Sequence, residues 1–342
     1  MTAIPVSVLT GFLGSGKTTL LSRLLRHDGM ARTAVIINEF GAVGLDHLLI
    51  ERSDDDIVQL NSGCLCCTIR GDLVRTICDL IARRRRGDVL AFERIVIETT
   101  GLADPVPILQ ALMTDPALAA DIVLDGVVTV VDAVNGADTL ERHDEAVRQV
   151  ALADHLVVTK TDLADPAASG LPGRLRALNP AAPIRTAVQG EIDPALLFDT
   201  GGPAAKTAEA QAWLAADSPL VHGHDVSRHG ADIRAFTFRR AAPVHAVALT
   251  LYLEILAEHC GADLLRLKGL VNLVERPDRP AVIHGVQHVL HPVTWLDAWP
   301  DERRDSVFVF ITKDIPGPWL ECLLDAVDEE VAEVLARANQ DQ

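Results

Sequence analysis

The chain is short of positive charge: 31 Lys and Arg stand against 48 Asp and Glu, a formal net charge of −17 over 342 residues. Gripping nucleic acid without regard to sequence requires a surplus of Lys and Arg to neutralise phosphates, so that class is excluded. No apolar run reaches the ~18 residues needed to span a bilayer, so no membrane partner is expected. The amino terminus does not pair a basic segment with an apolar one, and no secretion leader is expected. No internal repeat or long low-complexity segment is present. Nor is there a disulfide framework. Of six cysteines, three crowd into Cys64, Cys66 and Cys67, a clustering that suits metal or redox chemistry in a reducing compartment and points to the cytoplasm. The balance of 49% hydrophobic and 23% charged residues is that of an ordinary globular protein, and the length favours two domains.

Gly11-Phe12-Leu13-Gly14-Ser15-Gly16-Lys17-Thr18 satisfies G-x-x-x-x-G-K-[ST] at every fixed position. The apolar Val6–Leu9 precedes it as a buried strand, and Thr19–Leu25 follows with helical spacing. Glycines let the backbone curl so that successive N–H groups face phosphates, and the helix N-terminus adds partial positive charge. Gly11, Gly14, Ser15, Gly16, Lys17, Thr18 and Thr19 are therefore the expected nucleotide contacts. Lys17 would reach the β- and γ-phosphates, and the Thr18 hydroxyl would ligate Mg²⁺. The bland alternative is a glycine turn that happens to precede a lysine.

Downstream, strands are expected at Thr33–Asn38, Ile57–Leu60, Arg94–Glu98, Gly126–Val131 and His155–Thr159. Helices are expected at Asp72–Arg86, from Asp104-Pro105 onward, and at Asp144–Ala153. This alternation implies right-handed crossovers and an α/β fold, a P-loop NTPase domain with a mostly parallel sheet over residues 1–200. Residues 201–230, rich in Gly, Ala, Pro and His, read as a linker with a short helix at Ala208–Leu214. A smaller α+β domain fills 231–342. Its expected strands are Ile233–Arg239, Leu264–Val274, Ala281–Leu290 and Ser306–Ile311, and its helices Val244–His259 and Pro318–Ala338, the helices lying on one face of a sheet.

Three further clusters carry chemistry. In Ile95-Val96-Ile97-Glu98-Thr99-Thr100-Gly101 an apolar strand ends in an acid, with a glycine three residues on. An acid there holds the Mg²⁺ shell in phosphate-loop NTPases, and the glycine N–H meets the γ-phosphate, so Lys17, Thr18, Glu98 and Gly101 form the expected catalytic set. Leu102 stands where Ras-like GTPases carry the glutamine that orients water, which predicts slow intrinsic hydrolysis. Thr159-Lys160-Thr161-Asp162 resembles the guanine-reading N-K-x-D tetrad, with threonine in the asparagine position. A carboxylate at Asp162 can accept from guanine N1–H and the exocyclic amine, donors that adenine does not offer. Cys64, Cys66 and Cys67 are soft thiolate ligands suited to Zn²⁺ or another thiophilic ion, with Gly63 easing the turn; Glu39, Asp46 and His47 are all candidates for a fourth position. Inert buried cysteine is the plainer alternative. Arg83–Arg86 reads as a solvated helix end, His222, His224 and His229 as exposed linker histidines, and Cys78, Cys260 and Cys322 as core.

With these motifs placed, the chain resembles the CobW-type family of metal-handling GTPases, named from a cobalamin-biosynthesis protein. The likeness rests on TGFLGSGKTTLL at Thr10–Leu21, INEFG at Ile37–Gly41, NSGCLCCT at Asn61–Thr68 and ETTGLADP at Glu98–Pro105. VTVVDAVNG at Val128–Gly136, TKTDL at Thr159–Leu163 and LLRLKGLV at Leu264–Val271 extend it over nearly the whole length. The resemblance implies Mg-GTP binding, slow hydrolysis to GDP and phosphate, and Zn²⁺ or Co²⁺ bound at the cysteines for delivery to a client metalloprotein or metal-insertion component, with a homodimer admissible. Three departures stand out. Ala42 replaces a glutamate common in the family's NEFGE stretch, Thr159 replaces the base-reading asparagine, and HGHD at His222–Asp225 stands where many relatives carry a longer histidine run. Two other readings fit parts of the chain: a phosphate-loop kinase or other ATP-using enzyme with structural zinc, and a zinc-storage module.

Overall fold

The computed structural model describes residues 3–38, 69–198, 233–300 and 302–340. Its internal contacts divide the chain into two units, Met1–Arg176 with Ala182–Gly201, and Ala177–Ala181 with Gly202–Gln342. Outside the described residues lie the expected strand at Ile57–Leu60, the helix at Ala208–Leu214, the body of the linker, and the cysteine cluster with its candidate further ligands.

The first unit alternates strand and helix: β1 (Ile4–Thr10), α1 (Lys17–Leu24), β2 (Thr33–Asn38), α2 (Ile69–Arg86), β3 (Arg94–Thr99), α3 (Val106–Thr114) and β4 (Ile122–Asp132). It continues through α4 (Gly136–Arg142), α5 (Asp144–Leu152), β5 (His155–Thr159), α6 (Leu171–Leu178) and β6 (Ile184–Ala187). The six strands lie in the order β2-β3-β1-β4-β5-β6, and every pairing is parallel. Leu9, Val96, Val128, Val130 and Val157 point to the layer where α1 packs Leu20, Leu21 and Leu24. Val8, Ile95, Ile97 and Val127 alternate to the other face and are also fully buried. A sheet covered on both faces explains why its strands read as unbroken apolar runs. The expected helix at Thr19–Leu25 begins two residues sooner, so Lys17 and Thr18 form its first turn.

The second unit is an antiparallel sheet of β7 (Ile233–Arg240), β8 (Leu264–Leu273), β9 (Arg276–Val286), β10 (Val289–Leu290), β11 (Thr294–Trp295) and β12 (Ser306–Lys313). Two helices, α7 (Ala246–Cys260) and α8 (Gly317–Gln340), share one core with it. Phe238, Phe308 and Phe310 stack across β7 and β12, with ring centroids 4.8 Å apart for Phe238–Phe308. The buried Tyr252 hydroxyl of α7 donates to Leu320 O of α8 at 3.0 Å.

Two expectations are corrected here. Ala281–Leu290 is not one strand: the chain reverses at Gln287, which adopts φ 53°, and returns as β10. The signal was missed because neither Gly nor Asn occupies the left-handed position. Of the three remaining cysteines, Cys322 is not core, whereas Cys260 packs against the core of the second unit. Cys322 is exposed on α8, two residues either side of the buried Leu320 and Leu324, while Cys78 and Cys260 are half-buried. Burial also pushes the Cys78 and Cys260 thiols up, with nearby Asp115 and Asp121, and Asp263, adding in the same direction.

Phe308 is fully buried at the centre of the aromatic stack. Truncation to Ala should cost the second unit about 3–5 kcal/mol in denaturant unfolding, the range for emptying an aromatic site in a packed core.

Candidate functional site

The chemistry-bearing residues of the first unit gather at the carboxyl edge of its parallel sheet. β1 ends at Thr10, whose hydroxyl accepts a hydrogen bond from Thr99 Oγ1 at 2.8 Å, and the glycine loop turns over from there into α1. Gly11 has φ 143°, and a Cβ on it would stand 2.3 Å from Val130 O, so the loop can lie on β4 only with glycine here. Gly16 has φ 97° and forms the N-cap of α1, turning the first amides of the helix toward the loop's hollow. Lys17 lies back over this hollow, and its Nζ donates to Gly11 O at 2.8 Å and Phe12 O at 3.1 Å.

The acid strand meets the loop from the adjacent position in the sheet. Leu9 pairs with Glu98, and Thr18 Oγ1 donates to Glu98 Oε1 at 2.7 Å, the carboxylate being 4% exposed. Gly101 sits against the loop: a Cβ there would come within 2.6 Å of Leu13 N. The Leu102 side chain, 55% exposed, offers no polar atom to a water molecule.

On the other side of β1, the expected base-reading tetrad follows β5. The Thr159 hydroxyl is buried and donates to Ser15 O at 2.6 Å, tying β5 to the loop. Lys160, at φ 57°, spans the loop through Gly14 O at 2.8 Å and Asp132 Oδ2 at 2.5 Å. Asp162 lies beyond them, exposed in an open groove lined also by Thr161, Leu163, Asp165 and Thr186.

Two residues of this edge carried no expectation. Asp132, at the tip of β4, accepts from Val134 N, Asn135 N and Asn135 Nδ2 as well as from Lys160. Burial alone would raise its pKa, but the Lys160 ammonium and these donors outweigh burial and hold the carboxyl below the usual range. Gln149 of α5 donates through Nε2 to Gly101 O at 3.2 Å and Ala103 O at 3.0 Å. The signal for Gln149 was its place on the apolar face of α5, three residues from each of the buried Ala146 and Leu152.

Cys64, Cys66, Cys67 and Glu39, with the alternatives Asp46 and His47, lie outside the described residues. Among the described residues no group of three or more His, Cys, Asp or Glu is placed to hold a metal ion. The chain departs for the cysteine segment from β2, whose last residues Ile37 and Asn38 pair with Glu98 and Thr99.

An all-parallel sheet with a glycine loop joining β1 to α1, and an acid on the neighbouring strand touching that loop's threonine, defines a phosphate-loop nucleotide-binding domain. The family model for the CobW/HypB/UreG nucleotide-binding domain matches residues 5–186, and that for the cobalamin synthesis protein CobW C-terminal domain matches residues 233–328. The chain belongs to the CobW/HypB/UreG family. The zinc chaperone YjiA of Escherichia coli (strain K12) is 36% identical over 316 residues, spanning 92% of this chain and 96% of its own. The zinc chaperone CobW of a Sinorhizobium species is 33% identical over 316 residues, spanning 81% and 83%. A crystal structure of the Zn(II)-bound YjiA GTPase from E. coli matches with a TM-score of 0.68 and 30% identity, over 96% of this chain and 99% of that one. Among the described residues no helix is long and apolar enough to cross a membrane.

Asp132 also gives a pH dependence. Its folded pKa is lowered, so its contribution to stability is present above the ordinary carboxylate pKa of about 3.9 and is lost as pH falls through the lower folded value. Asp132→Asn should therefore destabilise at neutral pH by on the order of 1–2 kcal/mol. Thermal melts of wild type and variant should converge progressively as pH is lowered below the ordinary carboxylate range.

Proposed function

We propose that this chain is a slow GTPase metallochaperone, which binds Zn²⁺ or Co²⁺ at Cys64, Cys66 and Cys67 in a nucleotide-dependent way and passes the ion to a client metalloprotein or metal-insertion component. The observation that carries the reading is the shared edge. Lys17, Thr18, Glu98 and Gly101 meet there, and the chain leaves for the cysteine segment from Ile37 and Asn38, register partners of Glu98 and Thr99.

In this reading the amides of Gly14, Ser15, Gly16, Lys17, Thr18 and Thr19, with the close-packed Gly11, cradle the phosphates, and Lys17 exchanges loop carbonyls for phosphate oxygens. Thr18 Oγ1 and Glu98 Oε1, 2.7 Å apart, form a hard oxygen pair of the kind that holds Mg²⁺, whose charge offsets that of the β- and γ-phosphates. The Gly101 N–H faces the γ-phosphate. Asp162, exposed past Lys160, reads the guanine edge, while Lys160 and Thr159 brace the loop. Leu102 leaves the attacking water without a side-chain partner, so turnover is slow and bound GTP persists as a state. The likeness to proteins named zinc chaperones favours zinc as cargo. Glu39 is the proposed further ligand, a homodimer the proposed assembly where one forms, and the cytoplasm the proposed site of action. The division proposed is a GTPase domain at 1–200, a linker at 201–230 and a CobW-type domain at 231–342.

Calorimetric titration checks the nucleotide. GTP should bind at least about tenfold more tightly than ATP, and Asp162→Ala should erase most of that margin. Equal affinities in wild type would overturn the guanine reading. Lys17→Ala should remove the GTP-dependent part of zinc affinity; zinc binding that is the same in wild type and Lys17→Ala with GTP present would instead support storage.

A further inference from the structure

Gln149 sits on the inward face of α5 at 1% exposure, where an apolar side chain of similar volume would avoid burying a primary amide. Both hydrogens of Nε2 go to the segment after the acid strand, to Gly101 O and Ala103 O. The amide's orientation follows from these partners, since its oxygen cannot face two carbonyl oxygens. The residue is itself anchored, because its backbone O accepts from Thr129 Oγ1 of β4 at 2.7 Å. One position earlier, Arg148 Nη1 pairs with Asp104 Oδ2 at 3.0 Å, and Asp104 Oδ1 accepts from Val106 N at the start of α3.

The same helix also reaches the other wall of the site. His143, the N-cap of α5, stacks on Phe12 of the glycine loop with centroids 4.4 Å apart. A small cavity between the loop, the tip of β4 and α5 is lined by Ser15 and Gln149, and their oxygens Ser15 Oγ and Gln149 Oε1 are buried with no hydrogen-bond partner among the described residues.

We propose that Gln149 is a positioning residue for the γ-phosphate: by holding the Gly101 and Ala103 carbonyls it sets the 101–104 backbone against the glycine loop before the triphosphate arrives. This rests on the GTP reading above. Gln149 touches no nucleotide itself; it acts through Gly101, with Arg148 supporting from Asp104. In that reading the γ-phosphate is the group that meets Gly101, so the bonds from α5 bear on GTP more than on GDP.

The test uses the full chain and fluorescently labelled GDP and non-hydrolysable GTP analogue. Gln149→Met keeps the volume and removes the donor. Its affinity for the triphosphate analogue should fall about tenfold and that for GDP by less than about twofold. Arg148→Ala, at a half-exposed position that the fold can spare, should show a smaller loss, about two- to threefold, confined to the triphosphate. A merely structural role moves both nucleotides together through stability. Equal losses for GTP analogue and GDP, or no loss, in Gln149→Met overturn the proposal. If that variant does not fold, absence of a triphosphate-selective loss in Arg148→Ala does the same. A wild-type protein that binds neither nucleotide overturns the GTP reading itself, and does so before any variant is made.

Discussion

Thr18 and Glu98 are 80 residues apart in sequence and 2.7 Å apart in space, and the rest of the site is arranged around their hydrogen bond. It requires β1 and β3 to be neighbours, so the chain must cross over between them twice and return parallel. It requires the loop to turn tightly enough that Thr18 falls in the first helical turn, which Gly11 and Gly16 make possible at positive φ. And it buries a carboxylate beside a hydroxyl, with the Lys17 ammonium folded over the same loop.

A second set of bonds locks the loop from the opposite side. Thr159 holds Ser15 O, Lys160 holds Gly14 O, and Asp132 holds Lys160 while its own remaining acceptors are taken by the Val134 and Asn135 amides. The threonine that replaces the family's asparagine therefore keeps a role in bracing the loop.

Much of this was legible because it is contiguous in sequence. The glycine loop and the Glu98 strand tip are each legible within eight residues, and the apolar β-runs with helical spacers state the parallel sheet; the bracing of the loop by Thr159 and Lys160 was not read from the TKTD turn. The second unit was legible as a sheet with helices on one face, because Phe308 and Phe310 alternate inward while Leu320 and Leu324 recur at helical spacing. What escaped depends on contacts between distant residues. Gln149 meets Gly101 across 48 positions, and Asp132 meets Lys160 across 28. The turn at Gln287 escaped because glutamine rarely takes that conformation, and Cys322 misled because a cysteine on a largely apolar helix says nothing of which face it occupies. The cysteine cluster lies outside the described residues.

In the proposed function two ligands are coupled, a nucleotide at the carboxyl edge and a thiophilic ion at the cysteines of the segment that follows β2. If the γ-phosphate and the ion favour the same arrangement, each must strengthen the other by the same factor. The direct measurement is an anaerobic competitive Zn²⁺ titration of the full chain, loaded either with a magnesium-bound non-hydrolysable GTP analogue or with Mg-GDP. The account predicts zinc held at least about tenfold more tightly in the triphosphate state. Equal zinc affinity in the two states would contradict it.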